Sequence, residues 1–146
     1  MKNIQERLGK AFEYAMANRP AVGGFPYLAE CLRVAGVQTN VWTLPAGQSV
    51  YNFAEGSLVS TGTPLTTGIV AVPPFDEAAL IQALRTDQAG QSTFPEFLLA
   101  TWQAGVTSYT VDFQARTVAY SGAQGEVYTE SYPAVDIGEV DFEEIL

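Results

Sequence analysis

The chain has 146 residues, 47% of them apolar and 16% charged, with one cysteine, no histidine and a net charge of −9. That length suits a single domain over residues 1–146, and the balance of apolar to charged residues excludes a disordered chain. No stretch approaches the ~18 apolar residues of a membrane-spanning helix, and Lys and Arg are too few and scattered for phosphate contacts, so a cytoplasmic protein without membrane or nucleic-acid partners is expected.

Taken in chain order, Ile4, Leu8, Ala11, Phe12 and Ala15 recur at helical spacing and predict a first helix. After a connection from Asn18 to Gly24, FPYLAECLRVAGV (25–37) predicts a second helix that leaves through Gly36, a residue able to turn left-handed without a Cβ penalty. Cys31 lies inside it between Ala29 and Leu32, as a small buried apolar residue would, and being alone it forms no internal disulfide. Trp42, Leu44, Tyr51 and Phe53 then alternate with period two about PAGQ (45–48), which predicts a hairpin, and Glu55-Gly56 turns the chain into a third strand over about 57–61. GIVAVPP (68–74) connects onward, its prolines ending any strand.

The same order then returns. Asp76 caps a helix carrying Ala79, Leu80, Ala83 and Leu84, and Thr93-Phe94-Pro95-Glu96 is a Thr-x-x-Glu capping box with proline in the first turn. That fourth helix leaves through Gly105, and Tyr109, Val111, Phe113, Val118 and Tyr120 alternate about QAR (114–116) before a last strand over about 126–132. At an offset of 69, ten of the forty positions from 25 to 64 are identical without a gap, among them Phe25/Phe94, Pro26/Pro95, Gly36/Gly105 and Tyr51/Tyr120. The sequence therefore predicts an α+β fold made by internal duplication of a helix-helix-strand-strand-strand unit. The two repeats span about 1–67 and 73–135, with an acidic tail at 136–146. Three short strands and two helices cannot bury both faces alone, so the repeats should share a core, around one six-stranded antiparallel sheet or two three-stranded ones.

NRPAVGGFPYLAECLRVAGV and DQAGQSTFPEFLLATWQAGVTSYTVDFQARTVAYSGAQGEVY resemble the YdfO/YbcV-like family of small uncharacterised bacterial and prophage-encoded proteins, some of which are labelled phage envelope proteins. The resemblance covers most of residues 1–135 and is clearest over 87–128. It implies a single α+β domain and carries no catalytic residues.

Without histidine and with one cysteine, the usual nucleophile–base pairs and His/Cys metal sites cannot be assembled, so no catalytic residue, metal or cofactor is assigned. Glu126 and Glu130, about 13 Å apart along a strand, are read as a solvated face. Arg33 and Trp102 occupy the same place in the two repeats; with Trp42, Tyr51 and Tyr120 they are the candidate lining of an aromatic seam between halves, where pockets tend to form. Residues 1–75 sum to +1 and residues 76–146 to −10, so a basic protein partner would be drawn to the second half. Asp141, Phe142, Glu143, Glu144, Ile145 and Leu146 form an acidic, apolar end suited to docking on the chain's own body, on a second copy by self-association, or on another protein. The expected function is a non-catalytic protein-interaction module of phage or accessory origin; a small-molecule binder using the aromatic seam is the alternative.

Overall fold

A computed structural model describes residues 3–143. Helices α1 (Ile4–Asn18) and α2 (Gly24–Val34) precede strands β1 (Val37–Thr43), β2 (Gln48–Phe53) and β3 (Gly56–Thr61). Helices α3 (Glu77–Gln88) and α4 (Phe94–Gln103) then precede β4 (Val106–Asp112), β5 (Thr117–Gly122) and β6 (Val127–Ser131). The six strands form one antiparallel sheet in the order β3-β2-β1-β4-β5-β6, which decides between the two arrangements the sequence left open. The central β1–β4 pairing sets Val41 opposite Thr110, Asn40 opposite Val111 and Trp42 opposite Tyr109. Val41 and Thr110 are themselves 69 apart, and the order of strands out from this central pair is the same toward both edges, β1-β2-β3 and β4-β5-β6.

Local chemistry accounts for the element ends. Thr93 accepts the Glu96 N–H while the Glu96 carboxylate accepts the Thr93 N–H at 2.8 Å, closing the capping box, and Asp76 accepts the Ala79 N–H at 3.1 Å. Gly36 and Gly105 leave their helices at φ +104° and +91°. A Cβ on Gly105 would stand 2.6 Å from the Pro74 carbonyl oxygen, so the end of the connecting segment packs directly on this glycine. The two hairpin turns differ instructively: Gly47 and Arg116, 69 apart, both sit at positive φ (65° and 56°). Only the first is crowded, since a Cβ on Gly47 would meet the Thr63 carbonyl oxygen at 2.4 Å.

The helices cover one face of the sheet. Tyr51, Phe53, Tyr109, Val111, Val118 and Tyr120 on that face are buried against Leu8, Ala11, Leu32, Leu80, Leu84, Leu98 and Trp102 from all four helices. Two of the buried polar side chains are answered locally: the Thr101 hydroxyl donates to the Phe97 and Leu98 carbonyls and the Asn40 amide to the Val50 carbonyl.

Candidate functional site

The residues expected to line an aromatic seam are placed as follows. Tyr51, Trp102 and Tyr120 are buried in the shared core, Tyr51 edge-on to Phe12 and Tyr120 5.4 Å from Tyr109. Trp42 stacks across the central strand pair on Tyr109 and meets Phe94 edge-on at 5.1 Å; Phe94, 48% exposed, carries this aromatic run to the surface. Arg33 stands apart from the rings, forked on Glu30 at 2.7 and 2.8 Å. Burial raises the Tyr109 hydroxyl far above the ordinary phenol range and raises Tyr120 as well, so both remain neutral and apolar in character. Cys31 is fully buried, and desolvation, with the Glu30 charge adding, pushes its thiol up to about 11. It is a thiol, not a thiolate, at neutral pH.

The tail folds back onto the body. Phe142 is 2% exposed and edge-on to Tyr14 at 5.8 Å, the Tyr14 hydroxyl donates to the Ile137 carbonyl at 3.0 Å, and Arg7 donates to Glu143 at 3.1 Å. Asp141 accepts the Glu143 N–H and holds the turn. Glu144, Ile145 and Leu146 lie outside the described residues. Arg7 also pairs with Glu55 and lies over the Phe53 ring, so α1, the β2–β3 turn and the tail meet at one guanidinium.

Among the described residues, two of the hollows in the surface have none of the five seam residues in their lining. One, of about 310 Å³, opens between α3 and α4 over Ala83, Glu96, Phe97 and Ala100. At the corresponding positions of α1 and α2, Tyr14 and Tyr27 stack with ring centroids 6.4 Å apart where the second half has Ala83 and Glu96. The other, about 500 Å³, lies between halves: Gly23, Phe25 and Pro26 form one wall, Arg85, Asp87 and Gln88 of α3 another, and Glu130 and Tyr132 the floor.

Glu130 is not on a solvated strand face, as its spacing had suggested. It points at α3, where Arg85 binds it at 2.7 and 3.1 Å, Gln88 at 3.2 Å and the Tyr128 hydroxyl at 2.6 Å. Arg85 holds this carboxyl below the usual range, against an opposing burial effect, whereas burial raises Asp87, outweighing the Ser92 hydroxyl that donates to it at 3.3 Å and the charge of Arg19. The linkage signs are therefore opposite. The Glu130 clasp contributes stability that is complete above the unfolded pKa of ~4.3 and lost as pH falls through the lower folded value. Ionising Asp87 works against the fold once pH rises above ~3.9. At pH 7, Glu130→Gln should lower the urea midpoint by an amount worth up to about 1 kcal/mol and Asp87→Asn should raise it; both differences should shrink at pH 3.

Opposite the helices, the sheet presents a second face on which none of the described helices or strands packs. Its central row runs Val59, Val50, Val41, Thr110, Ala119, Thr129 across the six strands. It is flanked by Ser57, Asn52, Thr39, Asp112, Thr117 and Ser131 on one side and by Thr61, Gln48, Thr43, Ser108, Ser121 and Val127 on the other. None of these side chains is buried. Asp112 is the sole charge among them, and its carboxylate is engaged by the Gln114 and Ala115 N–H groups at 3.0 Å. Sequence reasoning followed the aromatic positions of each strand and passed over the intervening Thr, Ser and Val, which carried the signal for this face.

Among the described residues no three His, Cys, Asp or Glu side chains gather to hold a metal ion, and no helix is long and apolar enough to cross a membrane. Residues 15–131, from within α1 to the end of β6, match the family model described as "Protein of unknown function (DUF1398)". The chain belongs to the DUF1398 family. Curated relatives of this DUF1398 chain include the uncharacterized proteins Rv2012 of Mycobacterium tuberculosis and Mb2035 of Mycobacterium bovis. Each is 53% identical over 122 residues, which is 84% of this chain and 74% of the relative.

Proposed function

We propose that this DUF1398 chain is a non-catalytic interaction module that binds another protein through the open face of its sheet. The observation that carries the reading is the near absence of charge from an eighteen-residue face on a chain of net charge −9. Charged residues are depleted at the centres of protein interfaces, whereas an ordinary exposed surface is about a quarter to a third charged. Six strands at ~4.8 Å and about five residues at ~3.3 Å span roughly 29 by 17 Å. That plane is on the order of 500 Å² before side-chain relief is added, approaching the ~800 Å² each partner contributes to a standard interface. The fitting partner has a flat, uncharged patch ringed by Lys and Arg, since the net negative field steers basic proteins toward the chain. Action in the cytoplasm and kinship with prophage-type accessory genes belong to the same proposal; the second rests on the YdfO/YbcV-like resemblance over 87–128.

Val41→Lys places a charge at the centre of this face, and Leu99→Lys places one on the exposed helical side. In capture experiments from host lysate, a genuine partner is retained by the wild type and by Leu99→Lys, and lost from Val41→Lys. Equal capture by all three, or capture by none, overturns the reading.

A further inference from the structure

The two edges of the sheet are built differently. Glu126 precedes and Pro133 follows β6 much as Glu55 precedes and Pro64 follows β3; the edges differ within the strands, where β6 carries Glu130, pointing inward to Arg85, a device that discourages strand addition, and β3 carries no charge and no proline. From Gly56 to Phe75 no residue is charged. Between Arg33 and Asp76 the single charged residue is Glu55, and Arg7 pairs with it. Val59, in mid-strand, is 57% exposed.

The ladder fixes which groups point outward. The Gly62 N–H donates to the Gly47 carbonyl at 2.8 Å, and the alternation of an antiparallel pair, continued back along β3, turns the N–H and C=O of Ser57, Val59 and Thr61 away from β2. These three residues form a self-complementary set. About a twofold axis at Val59, Val59 faces its own copy and Ser57 faces Thr61 of the other chain, so all the outward donors and acceptors are used, in about six hydrogen bonds. Leu58 falls opposite Ser60, and no like charges are brought together, which a second −9 chain requires.

We infer that β3 pairs with β3 of a second copy, antiparallel and centred on Val59, to join two sheets into one of twelve strands. This pairing uses the strand edge and stands whether or not the open face docks a partner.

In a hydrogen-bonded antiparallel pair the Cα atoms are ~5.5 Å apart, within disulfide reach. Val59→Cys should therefore cross-link to a covalent dimer under mild oxidation, Thr129→Cys on the β6 edge should not, and the buried Cys31 should not interfere. Wild type should sediment at twice its 15.7 kDa mass at high concentration and Val59→Lys at the monomer mass, while Val41→Lys stays dimeric. A wild type that sediments as a monomer throughout, or equal cross-linking at positions 59 and 129, would overturn the inference. Because the wild-type measurement needs no variant, misfolding of a variant cannot rescue it.

Discussion

Phe142→Ala should lower unfolding stability by about 3–5 kcal/mol, the cost of truncating a buried phenylalanine, out of a total of about 5–15 kcal/mol for a domain of ordinary stability. The side chain is 2% exposed in the shared core, ten residues beyond the last strand's neighbour Tyr132, and the chain must turn to bring it there. Two local turns do so: Asp136 accepts the Gly138 N–H at 2.8 Å with Gly138 at φ +85°, and Asp141 accepts the Glu143 N–H at 2.9 Å. They aim Ile137 and Phe142 at α1, where Tyr14 receives both. Urea denaturation of Phe142→Ala beside Glu139→Ala, an exposed neighbour, measures the effect; a loss under about 1 kcal/mol for Phe142→Ala would show that the tail is not part of the core. A chain ending at Val135 loses two buried apolar side chains, so a partner lost with it reports damage to the fold as readily as loss of a docking element.

Trp102→Ala should cost a similar ~3–5 kcal/mol, and the reason bears on function. Trp102 is 6% exposed on α4 and belongs to the cluster shared by all four helices and both halves of the sheet. Neither cavity touches it. Thermal and urea unfolding should show the loss. Native mass spectrometry of the wild type addresses the small-molecule alternative: a ligand that copurifies and is released by Trp102→Ala under conditions where that variant remains folded would place the ligand in the aromatic seam. A ligand unaffected by Trp102→Ala but lost on changing Tyr132 would place it in the cleft between halves, where burial pushes the Tyr132 hydroxyl up to about 12 and Phe25 lies edge-on at 5.2 Å.

The chemistry visible in this chain is accordingly that of surfaces. Its cysteine is a buried thiol, and the Glu130 carboxylate is committed to a clasp between β6 and α3. Among the described residues, a charge-poor sheet face and a charge-free edge strand face away from the core. Each offers area and backbone groups rather than an enclosed centre, as the proposed interaction role requires.

Local signals determined the elements. Thr93-x-x-Glu96 is legible because its hydrogen bonds close within four residues, and the glycines at 36 and 105 because each follows a run at helical spacing, where a chain leaving the helix at positive φ favours a residue without a Cβ. The period-two aromatics likewise placed one face of each hairpin in the core. Pairing between distant segments was legible only in part: the offset of 69 implied related halves, but the β1–β4 register that merges them into one sheet depends on contacts nearly seventy residues apart. Tertiary structure alone decided three further matters. It turned Glu130 inward, because Arg85 on α3 lies above β6, and it drew Phe142 into the body, because Tyr14 and Tyr27 offer an aromatic surface where the second half has Ala83 and Glu96. It also left one sheet face bare, because all four helices lie on the other. Alternation in a strand says that two faces differ; only the packing of the helices says which one remains open to a partner.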